Sequence, residues 1–314
     1  MSNQLAPLII ILGPTGSGKS ELAINLARLF SGEIICADSR TIYRQMNIGT
    51  AKPYLNKKNV RHYQTKVFID SIPHHLLDVA NPDQKFTVGQ YKQQAIKTIR
   101  QIQHKRKLPF LVGGTALYLK TIADNFLIPS IMPDLSFRKE MEEKIKKQGI
   151  DHIYQRLIKL DPLAKDFVQA NNPRRIIRAL EVIEKTGKPF SQLRKRGPAL
   201  FNILKIGIQI DRQKLYQRID RRVEQMIKMG LVEEVKQLLK KYPANLSSFS
   251  GIGYREITNY LNKEIALPQA IQQIKYATHR YARRQMTWWR QDERINWIDK
   301  QSSAIRLIKK FISE

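Results

Sequence analysis

Residues 8–20 read LIIILGPTGSGKS, an apolar run followed by a glycine-rich loop. The segment Leu8–Leu12 is typical of a strand that is buried on both faces, as in parallel sheets. Residues 20–30 then place apolar side chains at helical spacing, and residues 33–37 predict a second strand. This order of strand, loop, helix and strand indicates a βαβ unit.

The loop itself has the residue types of a phosphate-binding site. It fits the pattern G-x-x-x-x-G-K-S/T, in which glycines let successive backbone N–H groups turn towards phosphate oxygens. The helix that follows adds the positive end of its dipole. We expect Lys19 to supply a charge for the outer phosphate and the Ser20 hydroxyl to bind Mg²⁺. The predicted phosphate-binding residues are Gly13, Pro14, Thr15, Gly16, Ser17, Gly18, Lys19 and Ser20.

The rest of the chain continues this α/β rhythm, interrupts it and then resumes it. Residues 87–104 and 115–122 predict helices around a strand at 109–112, which favours a parallel sheet. Two prolines in residues 128–133 indicate a linker, and helical patterns alone follow at 134–147, 150–160, 162–169 and 173–185. Strands are predicted again at 203–210 and 296–298, with helices at 212–229, 231–242, 253–262, 268–290 and 303–311.

The predicted fold is therefore of the α/β class. We expect a core with a phosphate-binding loop and a parallel sheet, built from residues 1–125 and 191–314. Residues 126–190 are predicted to form an all-helical insertion domain that binds nucleic acid. The basic helices near the C-terminus belong to the second part of the core.

The charge composition favours a polyanionic partner. The 314 residues include 55 Lys and Arg against 27 Asp and Glu, a formal net charge of +28. Such an excess attracts nucleic acid, although a merely solvated lysine-rich surface is the alternative. A single cysteine, Cys36, excludes a disulfide framework and a cysteine-based zinc site. No apolar run approaches the roughly 18 residues of a membrane span, so we expect a cytoplasmic protein without a membrane partner.

A carboxylate follows the second predicted strand but not the third. Asp38 comes directly after residues 33–37, whereas the strand at 109–112 continues into Gly113, Gly114 and Thr115. The carboxyl ends of parallel strands face the ligand crevice, so Asp38 is predicted to lie beside the loop and to act as a base or to orient one. The alternatives are a turn-capping role for Asp38 and a helix-capping role for Thr115.

Ordered blocks from residue 13 to about residue 290 resemble the tRNA dimethylallyltransferases, also called tRNA isopentenyltransferases. The blocks are GPTGSGKS at 13–20, DSRTIYR at 38–44, NIGTAKP at 47–53, HHLLD at 74–78, VGGT at 112–115, PRRIIRALEV at 173–182, GIGYRE at 251–256 and RRQMTW at 283–288. Thr41 and Arg174 stand where the family often has Gln.

This resemblance implies a reaction and a set of roles. The implied reaction moves a dimethylallyl group from dimethylallyl diphosphate to N6 of the adenosine next to the anticodon on its 3′ side. It implies that Asp38 is the general base, that Thr115 is a partner near the reacting centre, and that Arg222 joins the diphosphate ligands. Mg²⁺ is the implied cofactor, and the implied enzyme is a monomer.

The same resemblance implies contacts with the anticodon stem-loop of tRNA. The residues concerned are Ser39, Arg40, Thr41, Arg138, Arg174, Arg175, Arg178, Gly253, Tyr254, Arg255, Arg283, Arg284, Gln285 and Thr287.

Two other functions stay open on the sequence. A small-molecule or nucleoside kinase would use the same loop for ATP and Asp38 as a base on a hydroxyl group. A non-catalytic RNA-binding protein would carry the loop as a relic, against which the intact Gly18, Lys19 and Ser20 argue. For the pairs His74-His75 and Trp288-Trp289, a structural role is favoured over metal binding or base stacking.

Overall fold

The computed structural model describes residues 5–55, 57–129, 131–193 and 195–314. These residues form two compact units, one made of Met1–Ala123 and Leu200–Glu314, the other of Asp124–Ala199. The predicted insertion ran from residue 126 to residue 190, so the second unit is longer at its C-terminal end. Ser130, in the predicted linker, lies outside the described residues.

The first unit is built on one mixed sheet. Its strands are β1 (Pro7–Leu12), β2 (Glu33–Cys36), β3 (Val60–Tyr63), β4 (Lys66–Ile69), β5 (Ile72–His75), β6 (Pro109–Gly113), β7 (Asn202–Ile208) and β8 (Ile295–Ile298). Their order across the sheet is β3-β4-β5-β2-β6-β1-β7-β8. The pairs from β5 to β8 are parallel, as predicted, and β3, β4 and β5 pair in antiparallel fashion.

The strands β3, β4 and β5 are absent from the sequence prediction. Each is four residues long, and tight turns with positive φ at Gln64, Asp70 and Ser71 separate them. The outermost strand, β3, is polar and mostly exposed, as edge strands often are. Short strands of this kind lack the long apolar alternation on which a sequence-based prediction depends.

Apart from a short helix at Phe190–Leu193 that the sequence did not predict, the helices match the predicted positions closely. They are α1 (Lys19–Leu29), α2 (Val88–His104), α3 (Ala116–Ala123), α4 (Leu135–Gln148), α5 (Ile150–Leu160), α6 (Pro173–Thr186), α7 (Phe190–Leu193), α8 (Arg212–Lys228), α9 (Leu231–Leu239), α10 (Tyr254–Leu261), α11 (Leu267–Trp289) and α12 (Gln301–Ser313). The predicted helix at 162–169 is instead a 3₁₀ turn at Pro162–Asp166, which ends where Phe167 leaves the helical region with φ −145° and ψ −7°. None of the helices in the described part of the chain is both long and apolar enough to cross a membrane.

Strand β1 lies at the centre of the core because both of its faces are apolar. Ile9 and Ile11 pack with α1 and α12 on one face of the sheet. Leu8, Ile10 and Leu12 pack with α2 and α3 on the other face. This burial explains why the run at residues 8–12 contains no polar residue.

A third apolar cluster attaches the C-terminal helices to the segment that follows β2. Ile42, Tyr43 and Met46 from that segment pack with buried side chains of α8, α9, α10 and α11. The packing fixes α8 and α11 beside the carboxyl end of β2, within the same unit as the glycine-rich loop.

The second unit has its own core and a buried carboxylate. Helices α4, α5 and α6 enclose an apolar cluster that includes Met141, Leu157 and Leu180. Glu181 on α6 is fully buried and accepts hydrogen bonds from Arg138 Nε (2.8 Å), Arg178 Nη1 (2.6 Å) and the backbone N–H of Asp134 (2.7 Å). Burial raises the pKa of Glu181, but these bonds outweigh burial and lower the pKa to about 2.

Arg138 and Arg178 both bind this carboxylate through their guanidinium groups. The physical reason is that a fully buried carboxylate requires cations and donors close by. The tRNA contacts that the family resemblance implied for the two arginines stay a prediction, because both side chains are only partly buried.

We predict that Glu181→Gln destabilises this unit by about 2–3 kcal/mol, because Arg138 and Arg178 lose the charge that they neutralise. The matched control is Glu184→Gln, because Glu184 is exposed and its nearest cation, Arg156, is 3.8 Å away. Denaturant unfolding at neutral pH should show the loss for Glu181→Gln and a change within about 0.5 kcal/mol for the control.

The difference between wild type and Glu181→Gln should shrink on acidification. The stabilisation from a lowered pKa is complete above the unfolded value of 4.5 and disappears as the pH falls towards about 2. Equal stability of the two proteins at pH 7 would contradict this account of the cluster.

Candidate active site

The glycine-rich loop connects β1 to α1 and bends at two glycines. Gly16 and Gly18 have φ values of +84° and +93°, in the left-handed region that favours glycine. Gly18 is the N-cap of α1, so the N-terminal end of that helix points into the loop. The backbone N–H of Ser17 donates to the carbonyl of Pro14 at 3.1 Å, which closes the turn. The loop thus has the backbone conformation that a phosphate site requires.

Two cations and a carboxylate lie beside this loop. Lys19 Nζ donates to the carbonyl oxygen of Pro14 at 3.0 Å. On α8, Arg222 Nη2 donates to the hydroxyl of Thr15 at 2.7 Å. Burial lowers the pKa of Lys19 to about 8; the negative charge of Asp38 opposes this shift and the positive charge of Arg222 adds to it. Burial also lowers the pKa of Arg222, again against the charge of Asp38.

Asp38 and Thr115 are brought together by the ends of neighbouring strands. The carboxylate Oδ1 of Asp38 accepts the backbone N–H of Arg40 at 2.8 Å, the turn contact that the capping alternative anticipated. Thr115 follows β6, and its hydroxyl accepts the backbone N–H of Ser39 at 3.0 Å. The side chain of Thr115 therefore holds the segment that carries Asp38.

Two adjoining cavities meet at Asp38. The narrower one, about 100 Å³, is lined by Lys19, Ser20, Asp38 and Arg222, among others. The wider one, about 450 Å³, shares Thr15, Asp38 and Arg222 with it. Among the described residues that line these cavities, Asp38 is the one carboxylate, whereas the wider cavity adds the guanidinium groups of Arg40, Arg255, Arg280 and Arg284. An excess of cations around one carboxylate favours an anionic ligand next to a basic group.

The largest cavity, about 860 Å³, lies elsewhere. It is lined by residues of β5 and α2 and contains no residue of the glycine-rich loop. Its lining mixes cations with many side-chain amides, and we assign no part of the chemistry to it.

The narrower cavity contains side-chain oxygen atoms that could bind a magnesium ion. Mg²⁺ binds oxygen ligands and commonly takes only one or two from the protein, with phosphate oxygens and water as the rest. The hydroxyl of Ser20 and the carboxylate of Asp38 both line this cavity, and they fit that requirement. Across the described ranges, no group of three or more His, Cys, Asp or Glu side chains could hold a metal by itself.

Several residues that the resemblance assigned to tRNA are accessible. Arg40 donates to the carbonyls of Ser247 and Ser248 and keeps its place on the wider cavity. The other exposed residues of this set are Arg174, Arg255, Arg283, Arg284 and Thr287. Ser39 and Gly253 line the wider cavity. Arg175 is exposed as well and donates to the carbonyl of Phe167 at 3.1 Å.

Three residues of that set lie in the interior instead. Tyr254 is 1% exposed and donates its hydroxyl hydrogen bond to Glu234 at 2.7 Å. Gln285 is 4% exposed, and both ends of its amide bind other parts of the protein. Thr41 is buried next to the apolar cluster around Ile42. A family motif does not reveal which of its residues face the core, so the RNA contacts of these three residues stay a prediction that their burial does not favour.

Arg280 and Tyr281 also line the wider cavity, and neither is among the residues predicted from the sequence. The available signal was helical spacing, because Arg280 precedes Arg284, and Tyr281 precedes Gln285, by one turn of the same helix.

A structural role is predicted for the two side-chain pairs, and three of the four residues are buried. His75 Nε2 lies 2.7 Å from Glu33, and His74 Nδ1 lies 2.9 Å from the carbonyl of Ile72. Trp289 is buried in the core, whereas Trp288 is 39% exposed and stands over Lys120.

The known proteins that this chain resembles in sequence and in structure belong to one family. A sequence model described as IPP transferase matches residues 41–292. A tRNA dimethylallyltransferase of Dehalococcoides mccartyi is 44% identical, and the match covers 99% of this chain and 94% of that protein. The crystal structure of the full-length tRNA isopentenylpyrophosphate transferase of Bacillus halodurans superposes with a TM-score of 0.69 at 36% identity, over 98% of this chain and 95% of the other. A eukaryotic dimethylallyltransferase captured acting on tRNA gives a TM-score of 0.79 at 28% identity, over 98% of this chain and 80% of that one.

The lowered pKa of Lys19 predicts that diphosphate affinity depends on pH. A bound anion stabilises the protonated amine, so affinity should be constant from about pH 7 to about pH 8 and fall by up to about tenfold per pH unit above it. An organic diphosphate ester is a suitable ligand because its own phosphate titrates at about pH 6, below the range in which Lys19 is expected to lose its proton. Calorimetry in buffers of different ionisation enthalpy should show proton uptake on binding near pH 8.

The matched variants separate this lysine from others. Lys19→Met should bind the ester weakly at every pH, and Lys58→Met, at an exposed position, should behave as the wild type. A wild-type affinity that stays constant from about pH 7 to about pH 9.5 would contradict the assignment of Lys19.

Proposed function

Because this chain belongs to the IPP transferase family, we propose that it transfers a dimethylallyl group from dimethylallyl diphosphate to N6 of the adenosine on the 3′ side of the anticodon in tRNA. The observation that carries the proposal is the charge arrangement of the two adjoining cavities. Lys19 and Arg222 stand at the glycine-rich loop, Asp38 stands between the cavities, and arginines line the wider one.

The reaction that we propose is a substitution at carbon. The exocyclic N6 amine attacks C1 of the dimethylallyl group, a new C–N bond forms, and the C–O bond to the diphosphate breaks. The electron pair of that bond leaves with the diphosphate, and one proton leaves the amine. The site must therefore accept a proton and stabilise a growing negative charge on opposite sides of the reacting carbon.

Acceptance of the proton is assigned to Asp38. An exocyclic amine of adenine is a weak nucleophile, so a carboxylate within hydrogen-bonding reach assists the departure of its proton. The backbone N–H of Arg40 holds one carboxylate oxygen, and Thr115 fixes the following residue, Ser39. The carboxylate is thus oriented by its own turn and by the end of β6.

Stabilisation of the negative charge is assigned to Lys19, Arg222 and the N-terminal end of α1. Their charges and the loop N–H groups would bind the diphosphate and stabilise it as it leaves. When bound, Mg²⁺ would neutralise part of the same charge, with Ser20 as a ligand. A kinase of the kind discussed above would usually place a metal-binding Asp after a later strand, and β6 continues into Gly114 and Thr115 instead.

The wider cavity suits the RNA. A base must leave its stack to reach the carboxylate of Asp38 in the cavity, and nucleotides in a loop lose little stacking energy in doing so. The guanidinium groups of Arg40, Arg255, Arg280 and Arg284 are placed to bind phosphates around that base. We extend the proposal to a monomeric enzyme in the cytoplasm, with residues 126–190 as a further RNA-binding domain.

One assay distinguishes the proposal from a kinase and from a binding protein. The protein is incubated with unmodified tRNA and either dimethylallyl diphosphate labelled in its carbon chain or ATP labelled in its terminal phosphate. We expect the carbon label alone to reach the RNA. Transfer of the phosphate label, or of neither, would contradict the proposed function.

We predict that Asp38→Asn lowers kcat by roughly 10²–10⁴-fold, because the amide keeps the shape of the carboxylate but does not accept the proton. The tRNA affinity should change little. Asp83→Asn is the matched control, since Asp83 is exposed and lines neither cavity. Near-normal turnover of Asp38→Asn, measured as single-turnover label transfer, would remove Asp38 from its role.

We also predict that the double variant Arg280→Gln, Arg284→Gln weakens tRNA binding and flattens its salt dependence. Each lost phosphate contact should reduce the slope of log affinity against log salt by about one unit. The affinity for dimethylallyl diphosphate should stay unchanged.

The control for this prediction is a double variant with the same loss of charge. Arg306 and Lys309 are exposed on α12, and neither lines the cavities. Filter-binding titrations should show nearly the wild-type slope for Arg306→Gln, Lys309→Gln. Equal flattening by both double variants would mean that net charge alone binds the RNA.

A further inference from the structure

Gln285 connects two loops of the proposed active site. It lies on α11, and only 4% of it is exposed. Its Oε1 accepts the backbone N–H of Thr15 in the glycine-rich loop at 2.9 Å, and its Nε2 donates to the carbonyl of Gly114, after β6, at 2.7 Å. One side chain therefore joins the loop that follows β1 to the turn that follows β6.

The position of this amide depends on the absence of a side chain at residue 114. A Cβ atom built on Gly114 would lie 2.4 Å from Gln285 Nε2, far inside van der Waals contact. Lys19 Nζ is the next polar atom of another residue near that Cβ position, at 3.8 Å. The glycine thus allows the amide to reach the turn directly beside the phosphate-binding lysine.

Tyr281 lies one helical turn before Gln285 and lines the wider cavity together with Asp38. Burial and the charge of Asp38 raise the pKa of Tyr281, so the hydroxyl keeps its proton. The side chains of Thr115 and Gln285 oppose the rise in the pKa of the Tyr281 hydroxyl. Thr115 also accepts the N–H of Ser39, which follows Asp38.

The opposite face of α11 is the one proposed to bind RNA. Arg283 and Arg284 are exposed, and Arg280 and Arg284 line the wider cavity. The helix is continuous over 23 residues, so its two faces move as one body. Gln285 therefore joins the helix that is proposed to bind RNA to the loops that carry Thr15 and Gly114.

We propose that Gln285 is a positioning residue for the transfer reaction, and that it couples RNA bound on α11 to the diphosphate site. This inference rests on the proposed function. Gln285 sets the distance between the glycine-rich loop and the turn that carries Thr115, and hence between the leaving diphosphate and the base. Because coupling of two ligands is reciprocal, tRNA should tighten the binding of dimethylallyl diphosphate, and the donor should tighten the binding of tRNA.

The test compares Gln285→Leu with Gln272→Leu. Leucine has a similar volume and no hydrogen-bonding groups, and Gln272 is an exposed residue of the same helix. We expect Gln285→Leu to lower kcat/KM for dimethylallyl diphosphate by about 10–100-fold, since small misplacements of reacting groups have effects of that size. The tRNA Kd without donor should stay within about threefold of wild type, because uncoupled binding uses the exposed face. The tightening of donor binding by tRNA should disappear, and Gln272→Leu should match wild type throughout.

Two more variants keep the test decisive if Gln285→Leu folds poorly. Gln285→Glu retains an oxygen for the N–H of Thr15 and loses the donor to Gly114, so its defect should be intermediate. Gly114→Ala displaces the amide without changing α11. It should reproduce the defect of Gln285→Leu, and the double variant should be no worse than either single variant.

Two results would overturn the inference. One is a loss of tRNA affinity in Gln285→Leu with unchanged kcat and donor KM at saturating tRNA, which would make Gln285 an RNA contact. The other is a lower melting temperature with unchanged donor kinetics and unchanged coupling, which would make it purely structural. A wild-type protein that transfers no label would contradict the proposed function itself, a separate outcome.

Discussion

The carboxyl ends of three neighbouring strands, β2, β6 and β1, are the constraint on which the site depends. These strands lie side by side and in parallel, so whatever follows each one arrives at the same edge of the sheet. The glycine-rich loop follows β1, Asp38 follows β2, and Gly114 and Thr115 follow β6. Register along β1, which is buried on both faces, therefore fixes where phosphate, base and hydroxyl meet.

The charges at this edge of the sheet favour an anionic ligand at the glycine-rich loop. Lys19 and Arg222 are held at the glycine-rich loop by hydrogen bonds to Pro14 and Thr15, and burial lowers the pKa of both. Burying cations in this way is costly unless an anion or a carboxylate is near. Asp38 supplies one negative charge, and a diphosphate would supply the rest.

The sequence predicts those parts of the site that depend on local pattern. Glycine spacing predicts the loop, and apolar patterns predict strand β1 and the helices at 150–160 and 173–185. The place of Asp38 in the site is predicted because this residue comes directly after a strand. The contacts of Gln285 with Thr15 and Gly114, and of Arg138 with Glu181, join residues far apart in the chain. No spacing rule brings such residues together, so only the tertiary packing shows which parts of the protein these polar side chains bind.

The most direct measurement is a crystal structure with Mg²⁺ and a sulfur-bridged, unreactive analogue of dimethylallyl diphosphate. The account predicts diphosphate oxygens at about 2.7–3.2 Å from Lys19 Nζ and the Arg222 guanidinium, with the carbon chain directed towards Asp38. Binding of the analogue in the cavity beside β5 and α2 would contradict it. So would a site at the glycine-rich loop that accepts ATP and excludes the analogue.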